Sequence, residues 1–571
     1  MGNINFEQKV ENKKREIRTA VGKEKADIVL KNATYFNVFT SEFLNSDIAI
    51  TNNIIVGIGD TYNGNKEYDM TGKIVVPGFI DGHIHLESSM VSPKEFAKAV
   101  VPHGTTTVVT DPHEITNVMG LDGIEYMLQS TSTLPLDVIF MIPSCVPATP
   151  MDESGAILGY NEIEKYLDNK RVYGLAEMMN YVGVINSDDD CISKIVKTQE
   201  NNKAVDGHAP SLSGKDLNGY ICSGVYSDHE CADIDDALEK LHKGQYIMIR
   251  EGTAAKNLTA LLPLLNEQYS DRCLFATDDK HPSDLLFGGH IDYIIKKAIK
   301  GGVDPKIALK VASINAAKYF GFNNKGAIAP GYLADIVVVD NLDDFNIEKV
   351  FNSGKLVFDG NMIDFDNPSI DKELNEKANN TFNLDDVTKD NFKNDKELAV
   401  IGLIPGEIIT ENLGLAKDYD IEKDILKIAC IERHKHTNHI GLGFVKGYGL
   451  KSGAVATSIA HDSHNIITVG TNDEDIAIAV NALKNQNGGI VIVNNGEIIS
   501  SLQLNIGGLM TDESLSVVNE KLEEAKEKAF SLGVEKGIDP FMTLSFSSLP
   551  VIPSLRITTK GIFDVDNWKF L

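Results

Sequence analysis

Thiol pairs are missing from this sequence. Its six cysteines, Cys145, Cys191, Cys222, Cys231, Cys273 and Cys430, include no Cys-x-x-Cys spacing. Neither a disulfide framework nor a thiolate zinc centre is signalled, and a reducing cytoplasm is the expected setting. Basic charge is scarce: 54 Lys and Arg stand against 82 Asp and Glu, a formal net charge of −28. That balance repels phosphate backbones and the anionic face of a membrane, so neither nucleic acid nor membrane is an expected partner. No run approaches the ~18 consecutive apolar residues of a membrane span, and the charged, helix-like stretch 1–25 lacks the apolar centre of an export signal. The lone Trp568, like the pair Met178-Met179, reads as a packing residue.

What the chain does have is apolar residues, 42% of 571, enough to fill several cores. Short strand-like runs separated by Asn and Gly turns occupy 26–74, and Ala334-Asp-Ile-Val-Val-Val-Asp340 echoes Ala26-Asp-Ile-Val-Leu-Lys31. A composite β-sandwich domain built from 26–74 and 326–360 is therefore expected, with the chain returning to a sheet it had left. Between these halves, apolar β-branched runs recur at 74–85, 105–112, 137–144, 173–178, 204–210, 221–230, 246–251 and 272–279, with helix-like stretches such as 92–101, 120–130 and 234–241 between them. Eight strands alternating with helices predict an α/β fold, a (β/α)8 TIM-like barrel over 75–325. Only 211–220 remain for the crossover between the fifth and sixth runs, so that helix is expected to be short. The stretch 361–395 is rich in Asp, Asn and Lys and reads as a linker or loosely packed arm. Residues 396–571, with a strand-like run at 490–493 and a helix-like stretch at 512–532, read as a separate α/β domain.

The first barrel run ends Gly82-His83-Ile84-His85, and because side chains alternate along a strand both imidazoles point to the same side. Barrel enzymes collect their chemistry at the carboxyl ends of the strands. The later ends supply Glu177, His208, His229 and Asp278. Imidazole and carboxylate ligands without sulfur favour Mn2+, Fe2+, Zn2+ or Co2+, and six such ligands suffice for two ions. Glu230, Glu114, His113 and Arg250 stand at the same ends as candidate proton donors or substrate contacts. Each has a plainer alternative: Glu114 as a helix cap, Glu230 orienting a ligand, Arg250 in an ion pair with Glu251. Farther on, His434, His436 and His439, then His461 and His464, suggest a second metal site, hydrogen-bonding loops, or a lid that brings His461 or His464 near substrate.

The string Val76-Pro-Gly-Phe-Ile-Asp-Gly-His-Ile-His85 resembles the opening signature of the amidohydrolase superfamily of metal-dependent barrel hydrolases. The resemblance implies His83, His85, Glu177, His208, His229 and Asp278 as ligands of a binuclear centre, with Glu177 where many relatives carry a carboxylated lysine. Gly331-Tyr-Leu-Ala-Asp-Ile-Val337 resembles the closing segment of that superfamily's β-sandwich. Within it, His83-Ile-His-Leu-Glu-Ser-Ser89, Thr110-Asp-Pro-His-Glu-Ile115, Ser227-Asp-His-Glu230, Arg250-Glu-Gly252 and Ala456-Thr-Ser-Ile-Ala-His-Asp-Ser-His-Asn465 resemble the bacterial adenine deaminases over nearly the whole chain. The base-flipping zinc deaminases use a Pro-Cys-x-x-Cys that is absent here. The implied activity is deamination of adenine to hypoxanthine in purine salvage, with Mn2+ as cofactor (Fe2+ or Zn2+ as alternatives) and a homodimer as the assembly. Asp278 and Glu230 are then the expected catalytic residues, and His113, Glu114 and Arg250 the substrate-binding ones. A related hydrolase acting on a cyclic amide or another aminated heterocycle is the alternative reading.

Overall fold

The computed structural model describes residues 5–59 and 61–571. A helix, Phe6–Ala20, leads in and is fastened to the first sheet by Arg15, which pairs with Asp27 and donates to Asn52 Oδ1 at 2.8 Å. That sheet has eight strands. Five come before the barrel (Ala26–Asn37, Glu42–Thr51, Ile54–Gly59, Gly64–Asp69 and Ile74–Pro77) and three after it (Ile336–Val339, Ile347–Asn352 and Lys355–Asp359). The returning strand lies antiparallel on the departing one, Ile336 opposite Pro77 and Val339 opposite Ile74. The barrel is thus clasped at the neck where the chain enters and leaves it.

The first run, read as one strand, is two. It breaks at Gly78, where a Cβ would sit 2.3 Å from Thr106 Oγ1, and only Phe79–His85 belongs to the barrel. The other barrel strands are Thr105–Thr110, Asp137–Ile142, Val172–Met178, Ala204–Gly207, Ser227–Asp228 and Tyr246–Arg250, and the eighth is split into Cys273–Ala276 and Asp278–Asp279. Every pairing among them is parallel. The split joins two sheets: Cys273–Ala276 pairs with the seventh strand, whereas Asp278 and Asp279 pair with Ile84 and His85 of the first, and no ladder links the fifth strand to the sixth among the described residues. The sixth run is mostly not a strand. A helix, Gly214–Cys222, takes its first part, because Leu217 and Tyr220, three apart on one helical face, are both buried.

Ile80, Val109, Met141, Ala176, Met248 and Leu274 fill the barrel and pack onto Ala316, Ala317, Phe320 and Phe322. Ile84 packs instead with the residues of the helical layer. A register irregularity between Asp81 and Ile84 accounts for the change of side and leaves His83 and His85 facing the open end.

Residues 361–395 contain a short helix, Lys372–Ala378, with Leu374 and Ala378 buried, and Phe392 is fully buried farther along. Beyond them an eight-stranded sheet is flanked by Asp473–Asn485 and Leu515–Ser531. This part grips the barrel. Ser92 N–H donates to Thr511 O at 2.8 Å and Thr511 N–H to Met90 O at 3.1 Å, while Asn465 Nδ2 donates to Glu153 O at 2.6 Å. Among the described residues no helix is long and apolar enough to cross a membrane.

Candidate active site

All six side chains expected as ligands converge at the carboxyl ends of the barrel strands. Glu177 is central: its Oε1 lies 3.4 Å from His85 Nε2 and 3.9 Å from His83 Nε2, and its Oε2 lies 2.8 Å from His208 Nδ1 and 3.1 Å from His229 Nε2. Asp278 Oδ1 is 3.3 Å from His85 Nε2. The rings of His83 and His229 stack at 4.4 Å. Asp278 reaches this position through a left-handed backbone, φ 60°, an uncommon conformation for a residue with a Cβ.

The donor set fits divalent ions. His83 Nε2 is buried without a hydrogen-bond partner, as is His229 Nδ1, and such atoms call for an explanation. Burial and the neighbouring His229 and His85 hold the His83 imidazole well below its ordinary pKa, in the neutral form that ligates. Burial alone would raise the carboxyls of Glu177 and Asp278, but the imidazoles around Glu177 and the Arg250 guanidinium beside Asp278 hold both well below the usual range. Carboxylate oxygens and imidazole nitrogens within reach of one another are the donors that hard to borderline cations take.

Arg250 does not pair with Glu251, whose partner is Lys297. Its two terminal nitrogens hold both oxygens of Glu230 at 2.7 Å, and it also contacts Asp278 Oδ2. Glu230 Oε1 is in turn 3.3 Å from His229 Nε2 and 3.5 Å from His208 Nδ1. Burial favours a neutral Glu230, yet Arg250 keeps it ionised.

On the other flank, His113 Nδ1 is 3.1 Å from Asp111 Oδ2 and 3.6 Å from Glu177 Oε1, and its ring lies 4.4 Å from that of His85. Burial opposes charge on this imidazole, but Asp111 pushes its pKa up to about 10. Asp111 was not singled out in the sequence, although its place two residues before His113, at a strand end, was the available signal. Glu114 lies in the first turn of the helix His113–Met119 and accepts from Ser88 Oγ at 3.0 Å. Burial, then Asp279 and Glu87, raise its carboxyl well above the ordinary value.

Beneath the ligands, fully buried Asp228 joins two strand ends. Its Oδ1 accepts the Ala209 N–H at 2.8 Å, its Oδ2 accepts the Glu230 N–H at 3.1 Å, and Lys240 Nζ lies 3.0 Å from it. The backbones next to His208 and His229 are thereby fixed to one carboxylate.

The two histidine groups of the C-terminal part separate. His434 Nε2 donates to Ser463 O at 2.8 Å, His436 lies 3.2 Å from Asp385, and His439 lies 3.0 Å from Glu153, so these three serve loops. His461 and His464 reach the barrel mouth instead, each with a ring nitrogen 3.9 Å from a Glu114 oxygen, and Asp462 Oδ1 is 3.9 Å from His113 Nε2. Asp462 and Ser463, between the histidines, went unnoticed in the sequence because neither residue type marks a site by itself.

The fold and the mouth define an amidohydrolase-type barrel: the amidohydrolase family model matches residues 74–357, and the adenine deaminase C-terminal domain model matches 408–569. Adenine deaminase 2 of Carboxydothermus hydrogenoformans is 46% identical, with 97% of this chain and 98% of that protein covered. Adenine deaminase of Clostridium acetobutylicum is 46% identical (97% and 99% covered), and that of Bacillus pumilus 43% (97% and 98%). The chain belongs to the adenine deaminase family.

Proposed function

We propose that the protein hydrolyses adenine to hypoxanthine and ammonia, and that it does so in the cytoplasm, as a homodimer, in purine salvage. The supporting observation is the convergence of His83, His85, Glu177, His208, His229 and Asp278 in a chain aligned with adenine deaminases over 97% of its length. These six would hold a pair of divalent ions, Mn2+ in preference to Fe2+ or Zn2+. When bound, such ions supply Lewis-acid activation of water.

The chain's own groups do the rest. Water adds its oxygen to C6 of the ring, and Asp278, held by Arg250 and His85, accepts the proton released. The addition moves the C6=N1 π pair onto N1; the same carboxyl then passes its proton to the exocyclic nitrogen, the N1 pair re-forms the ring double bond as the C6–N bond breaks to release ammonia, and the hydroxyl proton left on oxygen shifts to N1 to give hypoxanthine. Glu230, locked onto Arg250 and against His208 and His229, keeps those imidazoles oriented. His113 and Glu114 line the side from which the ring enters. Covering of the mouth by the 461–464 loop excludes bulk water from the reacting centre.

The test is ammonia release from adenine, with adenosine, guanine, cytosine and dihydroorotate as controls, on protein loaded with Mn2+ and then stripped by a chelator. Metal-dependent release from adenine alone is expected. A metal-loaded protein inert toward adenine overturns the reading.

A further inference from the structure

Polar atoms at the mouth are of two kinds. Those on the barrel strands are either left to the ion-binding set, as His83 Nε2 and His229 Nδ1 are, or committed to one another: both oxygens of Glu230 to Arg250, Asp278 to Arg250 and His85, Glu177 to His208 and His229. Two on the C-terminal loop are neither. Asp462 Oδ2 and His464 Nε2 are buried and have no hydrogen-bond partner, in side chains that are almost wholly inaccessible. Unpaired buried polar atoms in a native structure point to a missing ligand.

Their chemistry is defined. His464 Nδ1 accepts the Ala460 N–H at 3.3 Å, which assigns the ring proton to Nε2 and makes that atom a donor. The nearest carboxylate oxygen, Glu114 Oε2 at 3.9 Å, is too far to receive it. Asp462 Oδ2 is an acceptor. Both belong to a loop held in place: His464 adopts φ 53°, its N–H donates to Ala460 O at 2.7 Å, and fully buried Arg433 donates to its carbonyl. Strain retained in this way at a site is a mark of use. The loop also faces the reacting centre, since Asp462 Oδ1 is 3.9 Å from His113 Nε2 and His113 Nδ1 is 3.6 Å from Glu177.

We propose that Asp462 and His464 form the recognition edge for the free base, Asp462 accepting the N–H of the five-membered ring at N9 and His464 donating to the adjacent N3. This inference rests on the adenine reading above. An acceptor and a donor two residues apart on one buried loop match the N9–H/N3 edge in kind, and that edge lies on the side of the purine away from C6. A nucleoside has no N–H at N9 and carries a sugar there, so these two residues set the preference for base over nucleoside. Specificity then belongs to the C-terminal domain and water activation to the barrel.

The Mn2+-loaded full-length enzyme is assayed with adenine and 9-methyladenine. The wild type is expected to favour adenine by about 100-fold or more in kcat/KM, as sites built around a substrate N–H do. Asp462→Ala should raise KM for adenine about tenfold or more, leave kcat within a few-fold, and compress the adenine to 9-methyladenine ratio. Asp462→Asn, which keeps an acceptor oxygen, should recover part of both losses. His464→Ala should raise KM, and His464→Gln, which keeps a donor, should recover part of it. A merely structural role would lower thermal stability and kcat together without moving the ratio.

An unmoved ratio in a folded Asp462→Ala overturns the proposal, and where that variant does not fold, an unmoved ratio and KM in Asp462→Asn do so. So does loss of a bound metal ion in His464→Ala, which would make Glu114, His461 and His464 a third ion's ligands. A wild type inert toward adenine removes the functional reading and this edge with it, whereas an active wild type with an unmoved ratio overturns the edge alone.

Discussion

Removing the cation from beneath the ligands tests how the mouth is held. Lys240 Nζ and Asp228 Oδ2 are 3.0 Å apart, both side chains are 0% exposed, and the ammonium is also satisfied by Ala209 O at 2.8 Å and by Asp236 at 2.9 Å. Burial disfavours a charged Lys240, but Asp228 raises its pKa above the ordinary value. In Lys240→Met, Asp236, at the surface end, turns to water, whereas Asp228 remains as an uncompensated buried carboxylate still tied to the Ala209 and Glu230 amides. A lone charge of that kind costs on the order of 3–5 kcal/mol. Asp228→Asn added to Lys240→Met removes the charge and should restore part of the loss, giving a coupling of about 2 kcal/mol or more in the double-mutant cycle. Urea unfolding of metal-stripped protein is the assay, since bound ions add their own stabilisation. Metal affinity should fall about 10–100-fold in the single variant, because the backbones bearing His208 and His229 lose their common anchor. A Lys240→Met protein within about 1 kcal/mol of the wild type, or a double variant no more stable than the single, refutes the reasoning.

Other outcomes follow from the same geometry. Asp278→Asn should retain metal and lose about 100-fold or more in kcat, measured by ammonia release and elemental analysis; near-normal turnover would exclude it as the proton carrier. Arg250→Lys keeps the charge but not the two-pronged hold on Glu230, so kcat should fall about tenfold or more with the fold intact by circular dichroism. Burial raises the Asp152 carboxyl from 3.8 to about 7. The folded state therefore binds its proton more tightly than the unfolded chain does. Its contribution is fully present below pH 3.8 and is lost as pH rises toward 7, a cost on the order of 4 kcal/mol at most above that. Asp152→Asn should accordingly be more stable than the wild type at pH 8 and indistinguishable from it near pH 4 in thermal melts.

The barrel was legible because parallel strands covered on both faces must be continuously apolar and end where they meet water, and the runs at 105–112, 137–144 and 246–251 have that form. The six converging side chains followed from their places at those ends. Strand six was misread because Tyr220-Ile-Cys222 is apolar in either conformation, and only the tertiary burial of Leu217 and Tyr220 decides for helix. The break at Gly78 was invisible in a run that stays apolar on both sides of it. The stretch 361–395 showed no packing signal since Leu374, Ala378 and Phe392 stand far apart among polar residues, each filling a separate niche. Asp111, Asp462 and the Asp228 to Lys240 support act through contacts between distant segments, which no local pattern encodes.

The hold of the C-terminal sheet on the barrel has a consequence for biosynthesis. Glu153, on the loop after the third barrel strand, waits for Thr559, 406 residues downstream, to complete its hydrogen bond. At ~5–20 residues per second, a ribosome needs roughly 20–80 s to cover that distance. Through that interval the clasped barrel stands uncovered while the segment destined to close it is still being translated, so competence is among the last properties the nascent chain acquires.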